Sequence, residues 1–169
     1  MPLNPGIAER RLLEHDIDDV QDELIDDIAT HGSWQTSMAL IGRLLVAAIF
    51  LMSGIAKLTD TPGTVAHMTS AGIPYADTLA IVAGVAEILG GVSLALGLLT
   101  RLGAFGLILF MIPATLIFHA FWNYTGEARM PQMVNFMKNL AIIGGLATLS
   151  AFGGGRFSID HRLRRRHLH

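Results

Sequence analysis

Four stretches of this chain, residues 37–56, about 78–100, 102–124 and about 134–153, are each long and apolar enough to cross a bilayer. A spanning helix needs roughly 20 mostly apolar residues at about 1.5 Å rise each. Within hydrocarbon every backbone N–H and C=O must be satisfied by the protein itself, so runs of this length are helical. They predict an all-α fold, an integral membrane four-helix bundle. Composition agrees: 15% of the 169 residues are charged, against about 25% in soluble domains. The sequence has no cysteine, which excludes a thiol–disulfide relay, an iron–sulfur cluster and thiolate metal ligation.

The spans divide the chain into residues 1–36, a four-span domain at 37–155, and a basic tail at 156–169. The first apolar run follows an acidic segment and not a short basic one, so a signal peptide is not expected. Arginines 43 and 101 and those of both flanks fall on one side of the membrane if the termini share it, while Lys57, Arg129 and Lys138 fall on the other. The positive-inside rule then predicts that both termini are cytoplasmic. Spans two and three join by a tight turn around Arg101. The outer loop after span one predicts a short helix from Pro62, ended by Gly72 and Pro74.

Nine of the 14 acidic residues lie in the first 27 positions. In that segment Leu13, Ile17, Val20, Leu24 and Ile28 recur at spacings of three and four, the stripe of an amphipathic helix that Gly32 should stop. A helix meant for anionic lipid would be basic. Two readings remain: a cytoplasmic acidic helix that docks its stripe on a protein partner, or a solvated helix whose acids pair with Arg162 to Arg166. The short basic tail beside a membrane does not call for nucleic acid.

Ionisable groups inside spans cost about 2.5–3.5 kcal/mol on insertion scales and usually face a bundle interior. Lys57, Glu87, His119 and Lys138 all fall in the outer half of the spans, with Glu87 near mid-membrane. Asn123 lies one turn beyond His119 on the same face, and Asn135 and Asn139 flank Lys138 on its face. These residues predict a polar pocket between helices, walled by Phe50, Phe110, Phe118, Trp122 and Phe136. Such a pocket suits a flat, lipid-soluble molecule with polar carbonyls, of which a quinone is the obvious example. Glu87 and His119 would handle protons, and Lys57, Lys138, Asn139 and Asn123 would hold oxygens. Against this stands a plainer reading, in which Glu87 pairs with Lys57 or Lys138 to fix helix register. Arg43 and Arg101 are expected to snorkel to inner phosphates. Haem is not expected, because His119 is the only histidine within a span, and no three-ligand metal set is apparent.

Five segments carry a family likeness: GRLLVAAIFLMSGIAKL (42–58), AEILGGVSLALGLLTRLGA (86–104), the His119 region, MKNLAIIGGL (137–146) and GGGRFSID (153–160). Through them the chain from about Ile41 to Asp160 resembles the DoxX family of small bacterial membrane proteins. The resemblance implies a four-helix membrane bundle with polar positions at Arg43, Lys57, Glu87, His119, Lys138 and Asn139. It also implies an association with thiosulfate:quinone oxidoreductases and membrane subunits of redox assemblies. Residues 1–36 are not part of the family pattern. The expectation is a quinone-linked membrane subunit, in contact with lipid and with a protein partner. The alternative is a non-catalytic accessory or assembly subunit. Whether the chain is an enzyme by itself stays open.

Overall fold

A computed structural model describes the main chain over residues 5–166 and the side chains over residues 32–166. The stripe Leu13 to Ile28 and the acids around it lie outside the described side chains, so neither reading of that helix is addressed. The elements are α1 (Pro5–Thr59), α2 (Thr61–Ser70), α3 (Ala76–Leu96), α4 (Thr100–Phe118), two 3₁₀ turns (Phe121–Asn123 and Gly126–Ala128), α5 (Arg129–Phe152) and α6 (Ile159–Arg166). There is no strand among the described residues. Four segments have the length and hydropathy to cross a membrane: Gly32–Thr59, Ala76–Leu96, Thr100–Asn123 and Gly126–Phe152.

The local chemistry explains most boundaries. Asp60 caps α2 by accepting from the Gly63 N–H at 3.0 Å, and Pro62 stands in the first turn, where no intrahelical N–H is required. Gly72, at φ 75°, follows the end of α2. α3 closes in a Schellman motif: the Gly97 N–H bonds the Leu94 carbonyl and the Leu98 N–H bonds the Ser93 carbonyl. Gly97 holds the left-handed conformation this requires, at φ 67°.

Three boundaries differ from the sequence expectation. α1 passes through Gly32 without stopping. One glycine costs a helix only about 1 kcal/mol, and the Thr36 and Ser37 hydroxyls bond back to the Gly32 and Ser33 carbonyls. α4 ends at Phe118, and His119 leaves the helical conformation at φ −127°. α5 begins at Arg129, ahead of the apolar run, because Pro131 falls in its first turn and breaks nothing there.

From residue 39 to residue 166 the chain lies in one compact unit. Its core joins Ala47 and Phe50 of α1, Leu94 of α3, Ala104, Leu107 and Met111 of α4, and Leu146 of α5. A second cluster holds Met68 of α2 against Ala76, Ala80 and Ala83 of α3. Small residues set the α1–α3 approach: a Cβ on Gly54 would lie 2.7 Å from the Gly84 carbonyl oxygen, and one on Gly91 would lie 2.8 Å from Leu51. The outward faces carry large apolar side chains, such as Ile81, Val82 and Leu89 of α3, as a lipid-facing surface requires. α5 is the least embedded span, with Leu146 its one buried residue.

Candidate functional site

Helix geometry brings Lys57 to Glu87. Side chains on a helix tilt toward its N-terminus. With Gly54 packed on Gly84 and Ile88, and Ala47 and Leu51 on Gly91, α1 and α3 run antiparallel. Lys57 and Glu87 therefore lean toward each other. The Lys57 Nζ meets the Glu87 carboxylate at 2.9 Å, and also donates to the Ser53 hydroxyl, one turn back, at 2.7 Å. The side chain of Glu87 is 5% exposed and that of Lys57 24%. Glu87 sits 11 residues into α3, about 16 Å along it. A lone carboxylate at that depth would be untenable; the ammonium and the close glycine packing make it tolerable.

Two further polar bonds lie at the same end of the bundle, where α4 stops and α5 starts. His119 Nδ1 is 2.9 Å from Gln132 Oε1, and the Asn139 amide donates to Thr115 Oγ1 at 3.0 Å. Thr115 in turn donates to the Met111 carbonyl at 2.7 Å. Beside them Phe121, Trp122 and Phe136 pack edge to face with centroids 5.2–5.7 Å apart, and His67 of α2 stacks on Phe118 at 4.8 Å.

Not all of the expected set assembles. Lys138 is exposed, with no hydrogen bond or ion pair among the described residues. The inward stripe of α5 is Gln132, Asn135, Phe136, Asn139, Ile142, Ile143 and Leu146, and Lys138 falls about 100° off it with Val134, Met137 and Ala141. Asn123 is also exposed, because α4 ends before it and it sits in a 3₁₀ turn. Of the expected walls, Phe50 is buried and Trp122 is 53% exposed. Ser53, Thr115 and Gln132 were not anticipated. Ser53 and Thr115 had one signal, a polar residue four positions before Lys57 and His119; Gln132 had none, lying in a polar loop.

The opposite end, where α3 turns into α4, carries a second polar cluster. Arg43 is 2% exposed and does not reach out to lipid phosphates as expected. It donates to the Gly154 carbonyl, to Phe157 O at 2.8 Å and to Ala95 O at 3.5 Å. These carbonyls converge because Gly154 and Gly97 leave room: a Cβ on either would lie within 3 Å of Arg43 Nη1 and Ser158. Asp160 caps α4 from a distance of sixty residues, accepting from Leu99 N–H at 2.8 Å and from Thr100 N–H and Oγ1–H at 2.9 Å each. Partial burial pushes the Asp160 carboxyl up, but these three bonds and the nearby Arg164 outweigh it, so its pKa lies below the ordinary value.

The DoxX family model matches residues 38–120. The inner membrane protein YphA of Escherichia coli (strain K12) is 36% identical over 131 residues, covering 78% of this chain and 94% of that protein. The chain belongs to the DoxX family. The inner membrane protein YqjF of the same strain is 34% identical over 128 residues, 75% of this chain and 92% of its own length. The membrane protein Rv3486 of Mycobacterium tuberculosis is 34% identical over 139 residues, 73% and 80% respectively. No solved structure matches the chain significantly. Membership agrees with four membrane-length helices in contact with lipid. It places the Lys57–Glu87 pair inside the DoxX match, while α5, with Gln132 and Asn139, lies beyond it.

Proposed function

We propose that this DoxX protein is an inner-membrane subunit of a quinone-linked redox assembly. The observation that carries the reading is the Lys57–Glu87 ion pair, held within the bundle with the Ser53 hydroxyl on its ammonium, at the end of the bundle that also carries the His119 and Asn139 hydrogen bonds. An ammonium that can turn from a carboxylate to a ligand carbonyl oxygen, with the carboxylate taking up a proton from solvent and passing it to that oxygen as the partner supplies electrons, is the chemistry a reducible carbonyl needs. His119 supplies a second proton-handling group toward the α2 end, and Asn139 a hydrogen-bond donor. Lys138 and Asn123, both exposed, are left out of the ligand set. Electrons come from a partner in this reading, since a chain without cysteine cannot ligate an iron–sulfur cluster through thiolates. The acidic segment 1–36 is the proposed dock for that partner, on the cytoplasmic side.

A second reading, a non-catalytic accessory subunit, is favoured by one feature: Lys57 and Glu87 satisfy each other, as a pair fixing helix register would. Mass spectrometry of the gently solubilised protein separates the two, recording lipid-extractable quinone and co-purified proteins together. Stoichiometric quinone that is lost in a Glu87→Gln, His119→Ala variant supports the redox reading. A stable partner with no quinone in either sample sinks it. Partner loss on deleting residues 1–36 would place the docking function in that segment.

A further inference from the structure

At the end of the bundle away from the Lys57–Glu87 pair, a cleft of about 430 Å³ opens between α1, the end of α3 and the start of α6. Its walls are apolar at Leu40, Leu96, Phe157 and Ile159, and its two charged residues are both arginines, Arg43 and Arg162. Arg43 is buried. Its bonds go to three backbone carbonyls and not to a carboxylate, and its Nε–H has no partner. The nearby Asp160 carboxylate is engaged by Leu99 and Thr100. A buried guanidinium without a contacting anion is costly unless negative charge is brought to it. Arg162, exposed on α6, adds a second cation to the same cleft.

We propose that this cleft binds the phosphate of an anionic phospholipid. Arg162 grips the phosphate oxygens, since a guanidinium fork matches them. Arg43 supplies positive charge from behind without leaving its carbonyls. The four apolar walls take the glycerol and the first acyl carbons, which a water-soluble phosphate lacks, so the lipid is the favoured source of the phosphate. The site lies apart from the proposed quinone pocket and stands or falls independently of it.

The test is native mass spectrometry of the delipidated full chain in detergent, titrated with phosphatidylglycerol, phosphatidylcholine and glycerol 1-phosphate. Phosphatidylglycerol should bind at one site, at least about tenfold tighter than phosphatidylcholine, and glycerol 1-phosphate should not bind in the same range. Arg162→Gln should weaken phosphatidylglycerol about fivefold or more, with partial recovery in Arg162→Lys. Arg156→Gln, an exposed arginine that does not line the cleft, should leave binding unchanged. Because Arg162 is exposed, its variants test the site without risking the buried Arg43 network. Equal affinity for the two lipids, or an equal effect of Arg162→Gln and Arg156→Gln, would overturn the proposal. Binding of glycerol 1-phosphate as tightly as phosphatidylglycerol would overturn the choice of a lipid.

Discussion

Replacing Lys57 by methionine should destabilise the bundle, and the size can be worked from the geometry. Methionine fills much the same space, so little packing is lost; what is lost is the cation 2.9 Å from a carboxylate that is 5% exposed. Removing one partner of a buried pair costs about 3–5 kcal/mol, and the Lys57→Met deficit should fall in that range. Glu87→Gln should cost less, about 1–2 kcal/mol, because Lys57 is 24% exposed and keeps its bond to Ser53. The double variant should recover at least about 2 kcal/mol of the summed losses. Unfolding in mixed micelles with increasing dodecyl sulfate, followed by circular dichroism, measures all four corners. Additive losses, or a Lys57→Met deficit no larger than that of Glu87→Gln, would refute the reasoning.

Three more outcomes are expected from the same unfolding assay. Asp160→Ala should cost about 1–2 kcal/mol by uncapping α4; because the folded pKa of Asp160 is depressed, its contribution is present above the unfolded value near 4 and is lost as pH falls through the folded one, so wild type and variant should converge in acid. Gly97→Ala should be strongly destabilising, since φ is 67° and the new Cβ would lie 2.5 Å from the Ser158 Cβ, whereas Gly144→Ala, with nothing within 4 Å, should be neutral or slightly stabilising. Asn139→Leu should remove a bond to Thr115 and cost about 1 kcal/mol, while Lys138→Ala should leave stability unchanged. Topology can be read independently: in this cysteine-free chain, a single cysteine at Ser70 should be labelled by a membrane-impermeant maleimide from the periplasmic side, and one at Arg166 only after permeabilisation.

The bundle could be read from sequence because the bilayer leaves so few options: length and hydropathy alone fix the number of spans and their helical state. The α2 helix was equally legible, since Pro62 and Gly72 are local signals for a start and a stop. Depth was legible too: it offered Lys57 and Lys138 alike as partners of Glu87, and Lys57 is the one whose tilted side chain meets it. What depth alone could not supply is azimuth. Lys138 has the right height and the wrong face, a difference of one residue from Asn139, which does turn inward. The inward stripe Phe136, Asn139, Ile143 and Leu146 is present in the sequence as a helical phase that leaves Lys138 outside it. Asn123 failed for another reason: an apolar run does not reveal where a helix unwinds, and α4 stops at Phe118 with no proline or glycine to announce it.

The Arg43–Asp160 end was the least legible part. An arginine near a membrane boundary looks like any snorkelling cation, and an aspartate in an arginine-rich tail looks like an ordinary surface acid. Each becomes structural only because the chain returns after more than a hundred residues to set the carbonyls of Gly154 and Phe157 over Arg43, and sixty residues after Leu99 and Thr100 to set Asp160 on the start of α4. Long-range polar bonds of this kind leave no periodicity to detect. They also divide the labour of the fold. The Lys57–Glu87 end satisfies its two charges with each other, whereas the Arg43–Asp160 end ties its charges mostly to main-chain groups that cannot move without opening the turn between α3 and α4. Under the proposed function, that division lets a ligand take up Lys57 at the first end while the second holds the helices in register.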